Sequence, residues 1–151
     1  MNPIVTTLVG WVATDPRYVV GPTGTRLTSF RLATTSRYFN RDKNAFEDGK
    51  TEWFTIRTHR QTAVNVKASI EKGQPVIVTG TFKTHEWDGD NGARVDLIID
   101  ATAVGHDLAK GIATFSRATL NVDTTSDDEA TADEATAEEI ADTVRSVLAT
   151  N

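Results

Sequence analysis

The order of two hydrophobic periodicities constrains the fold of this chain most strongly. Three stretches that read as extended, residues 4–13, 26–35 and 51–59, precede one stretch with apolar residues at helical spacing, 61–73. Two more extended stretches follow, 75–87 and 94–104, and the turn-rich DGDNG joins them. Apolar residues that recur every second position indicate strands, whereas a period near 3.6 indicates a helix. The sequence therefore predicts three strands, one helix and two further strands.

This order is the one that a five-stranded OB barrel requires, with its helix between strands 3 and 4. We accordingly predict an all-β fold of this class over residues 1–107, although the periodicity alone also allows other small β-barrels. Residues 36–50 read as a polar loop. Gly73 is expected to end the helix, because glycine readily adopts the backbone angles found there.

The net charge of −5 is unevenly divided along the chain. Residues 1–120 contain 15 Lys and Arg against 12 Asp and Glu, a difference of +3, whereas residues 121–151 contain one Arg against nine acids, a difference of −8. A mildly basic body permits a polyanionic partner, which the whole-chain charge would argue against. The composition of 121–151 predicts a disordered acidic tail, in which residues 136–149 could form a short helix.

Nothing in the sequence indicates a membrane protein or an enzyme. No apolar run reaches the roughly 20 residues of a membrane span, and the first residues lack the basic segment of a signal peptide, so we expect a cytoplasmic protein. The absence of cysteine excludes disulfides and thiolate chemistry. The three histidines lack metal-ligand spacing, and DGDNG is not followed by the glutamate that a calcium loop needs. We therefore expect no catalytic site, no metal and no cofactor.

Aromatic and cationic residues share predicted strand faces. Trp53 alternates with Arg57 and His59 on one strand, and Lys83 shares a face with Trp87 on another. Aromatic rings stack on nucleobases and cations neutralise phosphates, so this combination indicates binding of single strands without sequence reading.

The stretch TSRYFNRDK, residues 35–43, adds a ring in a basic setting. Tyr38 lies among Arg37, Arg41 and Lys43, and the stretch contains no aliphatic residue. We expect it to lie at the mouth of a binding groove, with Tyr38 as a stacking ring. Strict alternation from the preceding strand places Tyr38 on the core face, so the strand must bulge or end before it.

A structural role for the same rings is the alternative interpretation. Tryptophan in β-proteins often packs in a core or a subunit interface, and charged strand faces are often only solvated. An OB-fold assembly protein without a nucleic-acid role and an RNA-binding module are therefore both alternatives. Trp11 lies in an otherwise apolar strand, which favours packing.

The chain resembles the bacterial single-stranded DNA-binding proteins, and within them the actinobacterial branch. The motifs LVGWVATDP, GPTGT, FRLATT, TEWFTI and EKGQPVIVTGTFKTHEW occur in the family's order, and with the strand ending near Val104 they span about two thirds of the chain. The resemblance implies an OB fold, a homotetramer, and sequence-independent binding of single-stranded DNA in replication, recombination or repair. Residues 105–116 resemble a segment that forms an extra strand in that branch. In this chain the extra strand could form within residues 108–120.

The resemblance also assigns residues to the binding site. It places Tyr38, Trp53 and Trp87 at the family's stacking positions, and Lys72 and Lys83 where the family usually has cations. The complete set of residues expected to bind single-stranded DNA is Tyr38, Trp53, Trp87, Arg37, Arg41, Lys43, Arg57, His59, Lys72 and Lys83.

Some positions differ from the family's usual pattern. His59 replaces a common phenylalanine, and His85 and Glu86 stand where two cations are common. Because a stacked ring contributes on the order of 1–3 kcal/mol per base, we expect weaker and more salt-sensitive binding than in a typical member.

The end of the chain also differs, because it closes with SVLATN instead of the family's acidic Pro-Phe tip. Recruitment of replication or repair proteins through the usual tip is therefore in doubt. Three roles for the tail stay open: a solubilising segment, an acidic competitor for the DNA groove, or a partner-binding helix along Ile140–Leu148.

Overall fold

Residues 2–119 are described by the computed structural model. The chain divides into two units, Met1–Ser116 and Arg117–Asn151, and every described strand and helix belongs to the first. The predicted acidic tail and its helix at 136–149 lie outside the described residues.

Six strands and one helix form in the described part of the chain. They are β1 (Val5–Val12), β2 (Arg17–Val20), β3 (Arg26–Asn40), β4 (Ala45–His59), α1 (Arg60–Ser69), β5 (Pro75–Gly89) and β6 (Gly92–His106).

Five of the strands close into a barrel. The sheet runs in the order β1-β5-β6-β4-β3, and β1 also pairs with β3, which joins the two ends. All pairings are antiparallel except that of β4 with β6. Helix α1 lies in sequence between β4 and β5, which are the third and fourth barrel strands, and the predicted OB fold is confirmed.

The barrel interior is filled by the inward side chains of every barrel strand. Leu32, Ile56, Val78 and Ile99 are fully buried. Burying a side chain of this size contributes about 1.5–3 kcal/mol relative to leaving it exposed. Helix α1 packs against this core through Val66. The alternation that predicted the strands therefore follows from burial of one strand face.

Strand β2 is absent from the sequence prediction. Its four residues, RYVV, are all exposed and pair only with β3, on the outer edge of that strand. A strand that buries neither face shows no alternation, and periodicity could not detect it.

The expected end of the helix was wrong. Helix α1 ends at Ser69, Ile70 adopts an extended conformation, and Lys72 and Gly73 lie in the turn that follows. Gly73 has a φ of 89°, so its role in turning the chain is kept, although at the turn and not at the helix end.

The polar stretch 36–50 is not a loop. Strands β3 and β4 continue through it as a hairpin arm that extends the ladder to the pair Asn40–Ala45. The turn occupies residues 41–44, where Asn44 has a φ of 48°. Asparagine tolerates this left-handed conformation better than most residues. Residues 107–119 contain no assigned strand in the single chain, and the extra strand that could form within 108–120 stays a prediction.

Candidate nucleic-acid interface

The outer surface of β4, β6 and β5 brings the predicted aromatic and cationic residues together, and we call it the binding face. On β4, the half-exposed Trp53 and the outward Arg57 and His59 alternate with the buried Ile56 and Thr58, as predicted. The parallel pairing of β4 with β6 and the antiparallel pairing of β6 with β5 then align the three strands. Lys83 and Trp87 lie on the same surface because β5 alternates in the same way.

Trp87 is held in place by two residues of β6. Its indole nitrogen Nε1 donates to Asp96 Oδ2 at 3.1 Å. The guanidinium carbon of Arg94, the direct cross-strand neighbour, lies 5.6 Å from the ring centroid. The side chain still exposes 41% of its surface. These contacts orient a large ring at the protein surface, which favours stacking on a flat ligand.

A carboxylate lies among the cations of the binding face. Asp100 Oδ2 accepts from Lys83 Nζ at 2.5 Å, and His59 Nε2 lies 3.8 Å from Asp100 Oδ1. Burial opposes ionisation of Asp100, but the hydrogen bond and charge of Lys83 and the charges of His59 and Arg57 outweigh it, and the pKa of Asp100 lies below its usual value. An ionised Asp100 therefore neutralises part of the positive charge that a phosphate would meet.

Arg31 is a cation of this surface to which the sequence prediction gave no role. It pairs with Thr55 across β3 and β4, and its Nη1 donates to the Thr55 hydroxyl at 3.0 Å. The alternation of β3 places Arg31 on the outer face, but only the pairing register shows that it adjoins β4.

The hairpin arm separates Tyr38 from the binding face. The register of β3 against β4 shifts between Thr35–Thr51 and Arg37–Asp48, so the additional residue lies in β4 and not in β3. The alternation of β3 therefore continues unchanged, and Tyr38 stays on the same face of the strand as Leu32. The bulge that the sequence required exists, but it does not bring Tyr38 to the side of Trp53.

Tyr38 and Lys43 both contact Glu47 on that opposite face. Glu47 accepts hydrogen bonds from the Tyr38 hydroxyl at 3.2 Å, from Asn40 Nδ2 at 2.9 Å and from Lys43 Nζ at 2.6 Å. The bonds from Asn40 and Lys43 in particular lower the pKa of Glu47. Arg41 lies in the turn itself. The setting of Tyr38 is therefore less basic than the sequence indicated.

Two phenylalanines and one arginine form an exposed cluster on the hairpin arm. Phe39 and Phe46 are direct cross-strand neighbours with ring centroids 5.2 Å apart in an edge-to-face arrangement. The Arg37 guanidinium carbon lies 5.5 Å from the Phe46 centroid. The register places this exposed cluster on the same side of β3 and β4 as Trp53. The sequence analysis missed this cluster because Tyr38 and Phe39 are adjacent, and only the pairing register shows which of the two rings lies on the side of Trp53.

Trp11 and Lys72 lie on another part of the barrel. Trp11 exposes 48% of its surface in the single chain, so it does not pack in the barrel core, and its packing at a subunit interface stays a prediction. Lys72 lies in the turn before β5, where Gly73 donates its backbone N–H to Val12 at 2.8 Å. The structure therefore places Lys72 near the end of β1 and not among the cations of β4 and β5.

A polar cleft of about 870 Å³ opens beside the binding face, between the turn before β3 and the start of α1. His59, the last residue of β4, lines it together with Arg26 and Arg60. It therefore continues the cationic character of the face beyond Arg57.

Within residues 2–119, no group of three or more His, Cys, Asp or Glu side chains is placed to hold a metal ion. In the same range, no helix has the length and apolar composition needed to cross a membrane.

An OB barrel with exposed aromatic rings and cations on one face belongs structurally to the class of single-strand nucleic-acid binders. Over residues 4–107 the chain matches the Single-strand binding protein family. This chain is therefore a member of that family, and the prediction of a binding protein and not an enzyme is confirmed.

Individual relatives support the same assignment. Single-stranded DNA-binding protein 1 of Streptomyces coelicolor is 41% identical over 129 residues, which cover 83% of this chain and 80% of the relative. Single-stranded DNA-binding protein 2 of Streptomyces avermitilis is 44% identical over 119 residues, which cover 78% of this chain and 73% of the relative. The crystal structure of a small single-stranded DNA-binding protein from Streptomyces coelicolor has a TM-score of 0.67 at 41% identity, covering 74% of this chain and 100% of that one. The resemblance to the actinobacterial branch is thereby confirmed.

Proposed function

We propose that this chain binds single-stranded DNA without reading its sequence and protects it during replication, recombination or repair. The observation that carries the proposal is the binding face, where the half-exposed rings of Trp53 on β4 and Trp87 on β5 share one surface with the cations Arg57 and Lys83. Family membership supports DNA as the ligand.

Base stacking supplies the part of the binding energy that does not depend on sequence. Every base presents a flat face, so a ring such as Trp53 or Trp87 contributes on the order of 1–3 kcal/mol whichever base it meets. A duplex hides those faces within its own stack, so the same rings favour a single strand. Ordering of Trp87 by Asp96 and Arg94 reduces the conformational entropy that binding would otherwise cost.

Cations of the same surface would neutralise phosphates and release their counterions. Arg57, His59 and Lys83 lie on the same surface as the two tryptophans, and Arg37 accompanies Phe39 and Phe46 on the hairpin arm. We therefore extend the predicted site by Phe39, Phe46 and Arg31. Tyr38, Arg41, Lys43 and Lys72 stay predictions, and they lie away from this group.

Assembly of several copies is part of the proposal. The outer face of β1 and β5 exposes a row of aliphatic side chains, among them Val5, Val9 and Ile77. Exposed apolar surface of this kind is typical of interfaces between copies. A homotetramer would join several binding faces in one particle, and sedimentation of the purified protein would measure its size.

The proposed setting is the cytoplasm, with the protein associated with the nucleoid wherever single strands are exposed. Recruitment of other proteins through the acidic tail is a separate proposal. A pull-down with residues 121–151 alone tests it, and deletion of the same residues tests whether the tail competes with DNA, because binding would then tighten.

The test of the function is a titration of the intact protein with fluorescently labelled oligo-dT, followed by anisotropy at several salt concentrations. Binding that saturates, weakens with salt and exceeds binding to a duplex of equal length is the expected result. Equal affinity for the duplex would contradict the proposal, and tighter binding to oligo-U would assign the chain to RNA instead. Side-by-side titration of the Streptomyces coelicolor relative tests the expected lower affinity and steeper salt dependence.

A further inference from the structure

Trp11 and Trp53 flank a small residue on the outside of the barrel. Trp11 of β1 pairs with Ala33 of β3, and Ala33 pairs in turn with Trp53 of β4. Residues in register on adjacent strands project to the same side of a sheet. The three therefore form one row, with a methyl group between two indoles. Both tryptophans are 48% exposed.

The spacing of this row suits one flat ring. Adjacent strands lie about 4.8 Å apart, so the backbones that carry the two tryptophans are roughly 10 Å apart. Stacked aromatic pairs place their centroids about 4.5–7 Å apart, so a ring held between two others needs roughly 9–14 Å between the outer two. The row falls within this range, and Ala33 is too small to fill the space.

The backbone around the row is fixed at close range. A Cβ on Gly10 would lie 2.5 Å from the carbonyl oxygen of Ala33, so only glycine permits β1 to approach β3 this closely. On the other side, Ala13 donates its backbone N–H to the Arg31 carbonyl at 2.8 Å. Trp11 is therefore held beside Ala33 by contacts on both sides of it in the chain.

We propose that Trp11, Ala33 and Trp53 form a slot that takes one nucleobase of the bound single strand. The proposal rests on the proposed function and extends the path of the strand from the binding face, across β3, onto β1. Arg31, bonded to Thr55 in the neighbouring row, supplies a cation for the adjoining phosphate.

Continuity with the binding face favours a base over a second copy of the chain as the occupant. Trp53 belongs to both the row and the face, and Arg31 and Thr55 beside it are polar. The aliphatic pair Val9–Ile77 lies farther along β1, on the side away from β3 and β4. A base needs both stacking rings and a nearby cation, and both are present at the row.

Three proteins with a single tryptophan each test the slot. Trp53→Phe with Trp87→Phe keeps Trp11, Trp11→Phe with Trp87→Phe keeps Trp53, and Trp11→Phe with Trp53→Phe keeps Trp87. Phenylalanine preserves a ring at each changed position, so binding persists in all three. Each is titrated with oligo-dT, and the quenching of its one tryptophan is compared with the anisotropy of labelled oligo-dT.

We expect oligo-dT to quench the fluorescence of Trp11 until it saturates, with the same midpoint as the anisotropy titration. Quenching of Trp53 and Trp87 without any change at Trp11 would overturn the slot and leave the proposed function standing. If oligo-dT quenches none of the three tryptophans and the anisotropy does not change, both the slot and the proposed function are overturned. Protection of Trp11 from acrylamide before DNA is added would assign that ring to contact between copies and would also overturn the slot.

A substitution that fills the slot gives a second measurement. Ala33→Leu should lower the affinity for oligo-dT by about tenfold, because one stacked base is lost. Ala93→Leu, at an exposed position of β6 near the hairpin turn, is the matched control and should bind as the parent does. Unchanged affinity of a folded Ala33→Leu protein would contradict the slot.

Discussion

Replacing Asp100 with asparagine should strengthen binding of single-stranded DNA. The carboxylate accepts from Lys83 at 2.5 Å and lies 3.8 Å from His59, so it partly neutralises two groups that we assign to phosphate binding. A phosphate bound to Lys83 would approach within roughly 5 Å of Asp100. Two unit charges at that distance repel by about 0.8 kcal/mol in water, which corresponds to about a fourfold change in affinity.

Salt dependence provides an independent measure of the same effect. If Asp100→Asn frees one cation for phosphate, the slope of log affinity against log salt should become steeper by about 0.7, the value for one phosphate of a single strand. The gain should shrink towards high salt, because the repulsion is screened.

Asp107→Asn is the matched control for Asp100→Asn. It removes the same charge, but Asp107 lies about 20 Å farther along an extended chain, beyond the screening length at moderate salt. Its affinity should stay at the parent value. Anisotropy titrations of the parent and both variants with labelled oligo-dT make the comparison. An Asp100→Asn protein that is folded and binds no more tightly than Asp107→Asn would refute the assignment of Lys83 and His59 to the phosphate path.

Three further results are expected. Phe39→Ala should lower the affinity for oligo-dT by about tenfold and Tyr38→Ala by less, because only Phe39 lies on the side of Trp53; equal losses would contradict the face assignment. The ionised Asp100 stabilises the fold at pH values above its unfolded pKa of about 3.9, and this contribution is lost as the pH falls through its lowered folded pKa. The urea midpoints of the parent and Asp100→Asn should therefore differ at pH 7, and the difference should shrink as the pH falls below the unfolded pKa. A difference that grows in acid would contradict stabilisation of the fold by the ionised Asp100. Gly80→Ala should cost about 1–3 kcal/mol of unfolding free energy, since the added Cβ would lie 2.2 Å from the Asp100 carbonyl oxygen, whereas Gly105→Ala meets no atom within 4 Å and should be neutral in the same assay.

The barrel could be predicted from the sequence because its strands bury one face each. In β4, Ile56 and Thr58 are buried while Arg57 and His59 are not, and that contrast is visible as alternation. Strand β2 could not be predicted in this way, because it buries neither face.

The binding face could be predicted in part for the same reason. Trp53 and Trp87 lie on strands whose register is set by the core, so alternation alone placed them on one surface. The hairpin arm extends beyond the core and lacks this constraint. Its register depends on an additional residue in β4 opposite Ser36, which no periodicity reports, so the sequence could not show that Phe39 and not Tyr38 lies on the side of Trp53.

The sequence could not show which residues are neighbours across strands. Trp11 and Trp53 are 42 residues apart, and only the closure of β1 onto β3 places Ala33 between them. Asp100 and Lys83 meet in the same way, through the pairing of β5 with β6.

Photo-crosslinking of the intact protein to oligo-dT, with mass spectrometry to identify the attached residues, tests the central claim most directly. The binding face predicts crosslinks at Trp53, Trp87 and Phe39, all of which should disappear when unlabelled oligo-dT competes. Crosslinks confined to Tyr38 and the turn at 41–44, or to the aliphatic face of β1 and β5, would contradict it.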